Sequence, residues 1–346
     1  MMSHDPVNEF ELRFAKLIGS EYYIAVNSGT SALHAALEAI DVRHGEVIMP
    51  ALCPAMDAMA IIHAGAWPVF ADVDPETQLV TYETIKPLIG PRTKGIIAVA
   101  LHGLPTDIDD LSQAGLPIIE DCAQSLLAPY KDGYAGTKAT IGCYSFERKK
   151  HLTTGSEGGA IVTNDAKLAE RARKFAGLGY SHMTAESGRT SLSGPEFQYP
   201  SYQRFDTIGL NYRMSWAQAE VGLHALKTVK DDIWRRQEIG WMWREAMKPY
   251  IVQHHTYSAE NVFYSVAYPW DGPWQNLYSA FTERGGDGFY AMPRMPFEEP
   301  ALLDYKPLLP TDVARGLQKR LCLFKTHYKD LTYAKKQADI LSSLLR

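Results

Sequence analysis

The sequence predicts an α/β fold: a large domain built on a mostly parallel sheet flanked by helices, with a smaller carboxyl-terminal α+β domain. Three observations carry that prediction. Apolar runs alternate with helix-length stretches from Tyr22 to Ala176, the rhythm of βαβ units. Polar or glycine-bearing turns stand at the ends of these runs, as at Asn27-Ser28-Gly29, His102-Gly103 and Glu120-Asp121, where open α/β sheets place their sites. Past the long helical region that ends near Met247, a second set of strands and helices begins. The domains are drawn at 1–245 and 246–346.

Composition narrows the class. The chain has 346 residues, 46% apolar and 22% charged, ordinary for a globular protein with a sizeable core. A net charge of −5 gives no bulk attraction to nucleic acid. No apolar run approaches the roughly 20 residues a bilayer span needs. Met1 to Pro6 lack the basic and apolar regions of a signal peptide, so a cytoplasmic protein is expected. Cys53, Cys122, Cys143 and Cys322 have no CxxC spacing, so reduced thiols are expected and no metal site.

In order, Glu9 to Leu17 reads as an amphipathic helix and Tyr22 to Val26 as a strand. Asn27-Ser28-Gly29-Thr30-Ser31 then opens a helix through Ile40. That strand, turn and helix start would offer backbone N–H groups to a phosphate, although serine and threonine are equally ordinary caps. Strands follow at 45–50, 67–73, 94–101 and 116–119, with helices at 55–64 and 107–114. No GxGxxG follows the first strand, which leaves a dinucleotide fold little support. Ile141 to Phe146 is a strand, then comes a basic and glycine-rich loop, Glu147 to Gly159, and a second apolar run at Ala160-Ile161-Val162. A lysine in such a loop is placed for chemistry, since burial lowers its pKa and lets it form a Schiff base with a carbonyl cofactor. By itself the Arg148-Lys149-Lys150 run also fits a solvated loop.

Asp165 to Ala176 has helical period. Gly177 to Gly209 has none and is rich in glycine, serine, proline and tyrosine; a stretch of this length reads as a lid or an oligomer contact. Asn211-Tyr212-Arg213-Met214-Ser215 opens a helical region to about Met247, with a break expected near Asp231-Asp232. Strands at 261–267 and 288–292, a helix near 274–282, a proline-rich loop from Pro293 to Pro310 and terminal helices complete the chain.

Six pieces stand in one order: "NSGTSAL", "GEVIMP", "AGAWPVFADVDPET", "GLPIIEDCAQS", "YSFERKKHLTTGSEGGAIVTND" and "LNYRMSWAQA". Together they make the chain resemble the sugar aminotransferases of the DegT/DnrJ/EryC1/StrS family, well over roughly residues 10 to 230 and poorly over the last hundred. The resemblance implies a fold-type I enzyme using pyridoxal 5′-phosphate. By position, Lys150 rather than Lys149 would bind the cofactor covalently. Asp121 would pair with the ring nitrogen, and Gln124 would lie near the ring hydroxyl. Thr30 and Ser31 would hold the phosphate through backbone amides, and Ser145 through its hydroxyl. Asn211 would reach the phosphate of the neighbouring subunit in a homodimer with shared sites. Read without the resemblance, Asp121 also fits a strand-end cap and Asn211 a helix cap, and Arg213 serves equally well as a structural ion-pair partner.

The implied activity moves an amino group from an amino acid, glutamate or glutamine, to a keto-sugar in amino-sugar or cell-surface polysaccharide biosynthesis. The alternatives are a dehydratase of the same family, which carries histidine at the lysine position, and a non-catalytic regulatory or binding protein. Three departures stand out. Pro54 occupies the neighbourhood of the usual ring-stacking aromatic residue. The loop Gly155-Ser156-Glu157-Gly158-Gly159 is one residue longer than usual. The family's histidine-bearing carboxyl-terminal motif is only echoed by Met295 to Pro300, which leaves the sugar contacts unassigned.

Overall fold

The structure, a computed structural model, describes residues 5–188, 198–247 and 259–345. Part of the aperiodic stretch, 189–197, lies outside them, as does the segment 248–258 at the drawn domain boundary.

Helix α1 (Pro6–Ile18) starts because Asp5 accepts from the Val7 and Asn8 amides and Pro6 occupies the first turn, and it stops at Gly19. Its buried face carries Phe10, Phe14 and Ile18. There follow β1 (Tyr22–Val26), α2 (Gly29–Ala39), β2 (Glu46–Pro50), α3 (Met56–His63) and β3 (Trp67–Ala71). Next are α4 (Tyr82–Ile85), β4 (Thr93–Val99), α5 (Ile108–Ser112) and β5 (Ile118–Asp121). A small hairpin, β6 (Pro129–Tyr130) and β7 (Gly133–Tyr134), leads to β8 (Ile141–Ser145), β9 (Gly159–Thr163) and α6 (Ala166–Ala176).

The seven-stranded sheet has the order β1-β9-β8-β5-β4-β2-β3. Pairs among β2, β3, β4, β5 and β8 are parallel, whereas β9 is antiparallel to both β8 and β1. Every strand but β9 therefore points the same way. The carboxyl ends of β1, β2, β4, β5 and β8 meet at one edge, and the lysine loop spans the β8–β9 turn there. Helices cover both faces, so β2, β5 and β9 are buried along their length, as parallel sheets require.

The remaining elements are α7 (Trp216–Ala225), α8 (Val229–Ala246), β10 (Ser265–Pro269), α9 (Trp274–Glu283), β11 (Tyr290–Ala291), α10 (Asp312–Arg320), β12 (Leu321–Lys325) and α11 (Leu331–Leu344). A second sheet, β10-β12-β11, is antiparallel. Its hydrophobic cluster includes Ile239 and Trp243, so α8 contributes to the smaller unit's core from before residue 246.

Several expectations shift. The helix break falls at 226–228, and Asp231 and Asp232 are first-turn acids of α8, where the helix dipole favours them. The strand expected from Asn261 begins at Ser265, because Asn261 to Tyr264 dock on the large domain. There the Val262 amide donates to the Gly103 carbonyl at 3.0 Å and the Tyr264 amide to the His102 carbonyl at 3.1 Å. Strand β12 replaces part of the expected terminal helix. The proline-rich loop contains short 3-10 turns at Pro296–Glu298 and Pro300–Leu302. Among the described residues no helix is long and apolar enough to cross a membrane, and no cluster of three metal-ligating side chains forms. All four cysteines are buried and unpaired.

Candidate active site

The site is assembled from strand ends. At β1, Ser28 caps α2 by accepting from the Ser31 amide at 3.1 Å, and the Ser31 hydroxyl donates to Asn27 Oδ1 at 2.7 Å. Of the two expected amides, that of Ser31 is therefore already engaged. The amides of Gly29 and Thr30 have no hydrogen-bond partner among the described residues, and they stand at the positive end of an 11-residue helix. Ser145, at the end of β8, lies against this turn: a Cβ on Gly29 would come within 2.8 Å of Ser145 Cβ and 3.2 Å of its hydroxyl. Glycine is needed there because the two strand ends approach too closely for a side chain. Two free amides and an adjacent hydroxyl fit a phosphate.

Lys150 hangs from the β8–β9 loop. Phe146, just before that loop, packs edge-on against Phe10 and Phe14 of α1, with ring centroids 5.7 and 5.4 Å apart. Inside the loop the Phe146 amide donates to the Gly158 carbonyl at 2.8 Å and the Thr154 amide to the Phe146 carbonyl at 3.1 Å. The far side is held from α8, where buried Arg236 donates through Nη2 to the carbonyls of Lys149 at 2.7 Å and Lys150 at 3.2 Å. The Lys150 ammonium lies over the Tyr264 ring, 4.6 Å from its centroid. Burial lowers the lysine's pKa and Arg236 adds to that effect, while the charges of Asp121, Glu147 and Asp57 oppose it. Lys149 projects instead toward the Tyr290 ring, 5.5 Å from its centroid.

Asp121 ends β5 and is buried, with its Oδ1 accepting from the Ala123 amide at 2.9 Å. Burial raises its pKa; the Ala123 amide and the Lys150 charge pull it back. Gln124 Oε1 accepts from the His102 amide at 2.9 Å, which leaves its NH2 as the free end. A donor is what a ring hydroxyl oxygen can use. A carboxylate, a free amide donor, a lysine and the α2 turn at one sheet edge thus fit pyridoxal phosphate: ring nitrogen, ring hydroxyl, carbonyl carbon and phosphate each find a matching group.

Between this edge and the second sheet lies a cavity of about 300 Å³, lined among others by Pro54, His102, Gln124, Lys149, Tyr264 and Tyr290. Asn211 is exposed and bridges Gly177, beside the segment whose Tyr212 carbonyl accepts from the Asn27 amide at 2.7 Å. His151 is buried, with its Nε2 3.2 Å from the Val262 carbonyl.

Sequence reasoning missed Arg236, Tyr264, His102 and Asp57. Asp57 is a first-turn acid of α3, yet it is 1% exposed, and the group it faces is the Asp121 carboxyl. Burial and then the Asp121 charge push its pKa well above the usual carboxylate range.

The DegT/DnrJ/EryC1/StrS aminotransferase family model matches residues 1–270. The chain is 35% identical over 264 residues to GDP-perosamine synthase of Escherichia coli O157:H7, covering 75% of this chain and 67% of that protein. It is 39% identical over 198 residues to L-glutamine:2-deoxy-scyllo-inosose aminotransferase of Streptomyces fradiae, covering 56% and 44%. The chain thus spans between about half and two thirds of the length of these curated relatives. Among solved structures, the aminotransferase from Psychrobacter cryohalolentis superposes with a TM-score of 0.88 at 26% identity, over 99% of this chain and 91% of that one. The architecture is that of the fold-type I aminotransferases, and the chain belongs to the DegT/DnrJ/EryC1/StrS aminotransferase family, whose cofactor is pyridoxal 5′-phosphate.

Proposed function

We propose that this protein is an aminotransferase that moves an amino group from L-glutamate or L-glutamine to a keto-sugar, in the making of an amino sugar or a cell-surface polysaccharide. The observation that carries the reading is a partly buried Lys150, its ammonium destabilised, at the sheet edge where Asp121 ends β5. The names of the two relatives support the donor and acceptor classes.

When bound, pyridoxal phosphate supplies a carbon that carries the amino group and a ring that withdraws electrons from it. Gly29 and Thr30 would bind the phosphate by their amides and Ser145 by its hydroxyl. Gln124 would donate to the ring hydroxyl. Asp121 would face the ring nitrogen and, as an adjacent negative charge, favour its protonation. Lys150 would attach the cofactor and, when released, take a proton from the donor's α-carbon and deliver it to the carbon through which the cofactor carries the amino group; burial favours the neutral amine that this needs. Lys149, 5.5 Å from the Tyr290 ring centroid, gives the cavity wall a positive charge suited to the donor's carboxylates, while Lys325 beside it is paired with Asp287 at 3.3 Å. A family dehydratase would carry histidine in place of Lys150, and neighbouring His151 instead bonds the Val262 carbonyl.

The active unit in this reading is a homodimer in which Asn211 completes the partner's phosphate site. Its support is the exposed apolar side chains close to Asn211 in the chain, Phe205, Ile208, Leu210 and Trp216, a kind of surface that marks interaction sites when it is contiguous.

The test is addition of L-glutamate or L-glutamine to the holoenzyme without acceptor. Loss of the visible cofactor band with release of the matching keto-acid is expected. Borohydride reduction and peptide mapping should place the cofactor on Lys150, and Lys150→Ala should bind it without converting donor. A label on Lys149, or no keto-acid from either donor, would overturn the reading.

A further inference from the structure

We propose that His102 holds a hydroxyl group of the acceptor, so that the part of the ligand it touches is an uncharged polyol, sugar or cyclitol, and not a carboxylate or phosphate. This rests on the transamination reading above and goes beyond it by naming a residue and the chemistry it selects.

His102 follows β4 and lines the cavity together with Gln124, Lys149, Tyr264 and Ser265. It is 5% exposed. Its Nδ1 is 2.9 Å from Ser265 Oγ, and its Nε2 has no hydrogen-bond partner among the described residues. A buried polar atom of this kind requires a partner, and the residue that carries it lines the cavity. The backbone fixes the aim of the ring. Its φ is 59°, a left-handed conformation uncommon for histidine and maintained where surroundings over-determine it. Here they do: the His102 amide donates to Gln124 and its carbonyl accepts from the Tyr264 amide. Gly103, next in line, packs so closely that a Cβ would lie 2.6 Å from the Phe263 amide nitrogen.

The chemistry of the ring then chooses the ligand. Burial alone pushes the imidazole pKa down to about 4, so the ring is neutral at physiological pH. A neutral imidazole has one donor and one acceptor. Whichever role Nδ1 plays toward Ser265, Nε2 takes the other. A hydroxyl group both donates and accepts, so it satisfies Nε2 in either tautomer. A carboxylate or phosphate accepts only, so it satisfies Nε2 in just one of the two tautomers, and it gains no ion pair from a ring that burial keeps neutral. Anionic parts of a substrate have Lys149 on the same cavity wall.

The test compares wild-type holoenzyme with His102→Phe and His102→Asn. Phenylalanine keeps a ring without hydrogen-bonding atoms; asparagine tolerates the left-handed backbone but falls short of the cavity, and it serves if the first variant does not fold. The probes are GDP-perosamine, run in reverse as amine donor, and 2-deoxy-scyllo-inosose as acceptor, against L-glutamate and pyridoxal phosphate. KM is read for each substrate, and dissociation constants for the sugars and the cofactor come from tryptophan fluorescence. Loss of one hydrogen bond is expected to weaken binding of the accepted sugar probe roughly tenfold, with L-glutamate and cofactor within about twofold. Unchanged sugar binding would overturn the proposal. So would an equal loss for L-glutamate, or weakened cofactor binding, which would place Nε2 on those ligands. A wild-type protein that converts L-glutamate but binds neither sugar would overturn the hydroxyl assignment and leave transamination standing. One that converts neither L-glutamate nor L-glutamine would instead remove the reading beneath it.

Discussion

Asp57 and Asp121 show how two buried carboxyls near one lysine come to differ. Asp121 has an amide donor and feels the Lys150 charge first among the charges that lower its pKa. In Asp57, burial, the Asp121 charge and contact with the Asp121 carboxyl all push the pKa up, ahead of its own amide and the Lys150 charge, which lower it. The folded state therefore binds a proton at Asp57 more tightly than the unfolded chain does. Stability contributed this way is full below the unfolded carboxyl pKa, near 4, and declines as pH rises above it. Asp57→Asn, which removes the titration and keeps the shape, should raise the melting temperature at pH 7 to 8, with the gain vanishing near pH 4. Thermal unfolding of both proteins across that range is the check; a lower melting temperature at every pH would mean that Asp57 has a partner worth keeping. Lys150, Asp121, Gln124 and Ser145 could be picked out from the sequence because each lies at a strand end or in the turn directly after one. His102 stands in such a turn too, but nothing in the chain marked its role. Asp57 and Tyr264 could not be picked out: their position depends on α3 and the 261–264 segment packing against the sheet edge, and none of those contacts leaves a spacing in the chain.

At the scale of elements, α8 is the part whose role the sequence hid most. Its amphipathic pattern is weak because one helix serves two cores: Val229 and Ile233 pack with the amino-terminal aromatic cluster, while Ile239 and Trp243 pack with the second sheet. Between them Arg236 grips the two carbonyls of the lysine loop. Arg236→Ala should lower unfolding free energy by about 2–3 kcal/mol, the worth of charge-assisted hydrogen bonds lost from a buried site. Arg236 also helps to lower the Lys150 pKa, so its removal should shift the lysine-dependent limb of the kcat/KM pH profile to higher pH. Arg236→Lys separates the two effects: the charge stays, so the limb should hold, but one ammonium cannot fork across two carbonyls and stability should still fall. Denaturant unfolding and pH–rate profiles on the three proteins measure both. Strand β12 was missed for a different reason. Helix α10 passes straight into it at Leu321, with no glycine or proline to mark the change, so the charged helix masked the apolar run behind it.

At the scale of the whole molecule, the apolar run from Phe205 to Trp216 and the exposed Asn211 predict an assembly with shared sites. Ile208 is 96% exposed, a cost that burial against a second copy would remove. Mixing Lys150→Ala with Asn211→Ala, each inactive alone, should restore part of the activity after subunit exchange, because one of the two sites in a heterodimer then has both native residues. Absence of rescue after verified exchange would place Asn211 in its own chain's site. The sheet order has a further consequence, for the birth of the protein rather than its chemistry. Strand β1 lies at the sheet edge beside β9, Tyr22 opposite Thr163, with one further bridge from Val26 to Arg213, so the first strand made has no strand partner among the described residues until the ribosome has passed residue 163. Until then the nascent chain exposes an apolar β strand and the aromatic face of α1, a long-range closure of the kind that slows folding and invites association between growing chains. The amino-terminal segment is therefore where a chaperone would be expected to bind during synthesis.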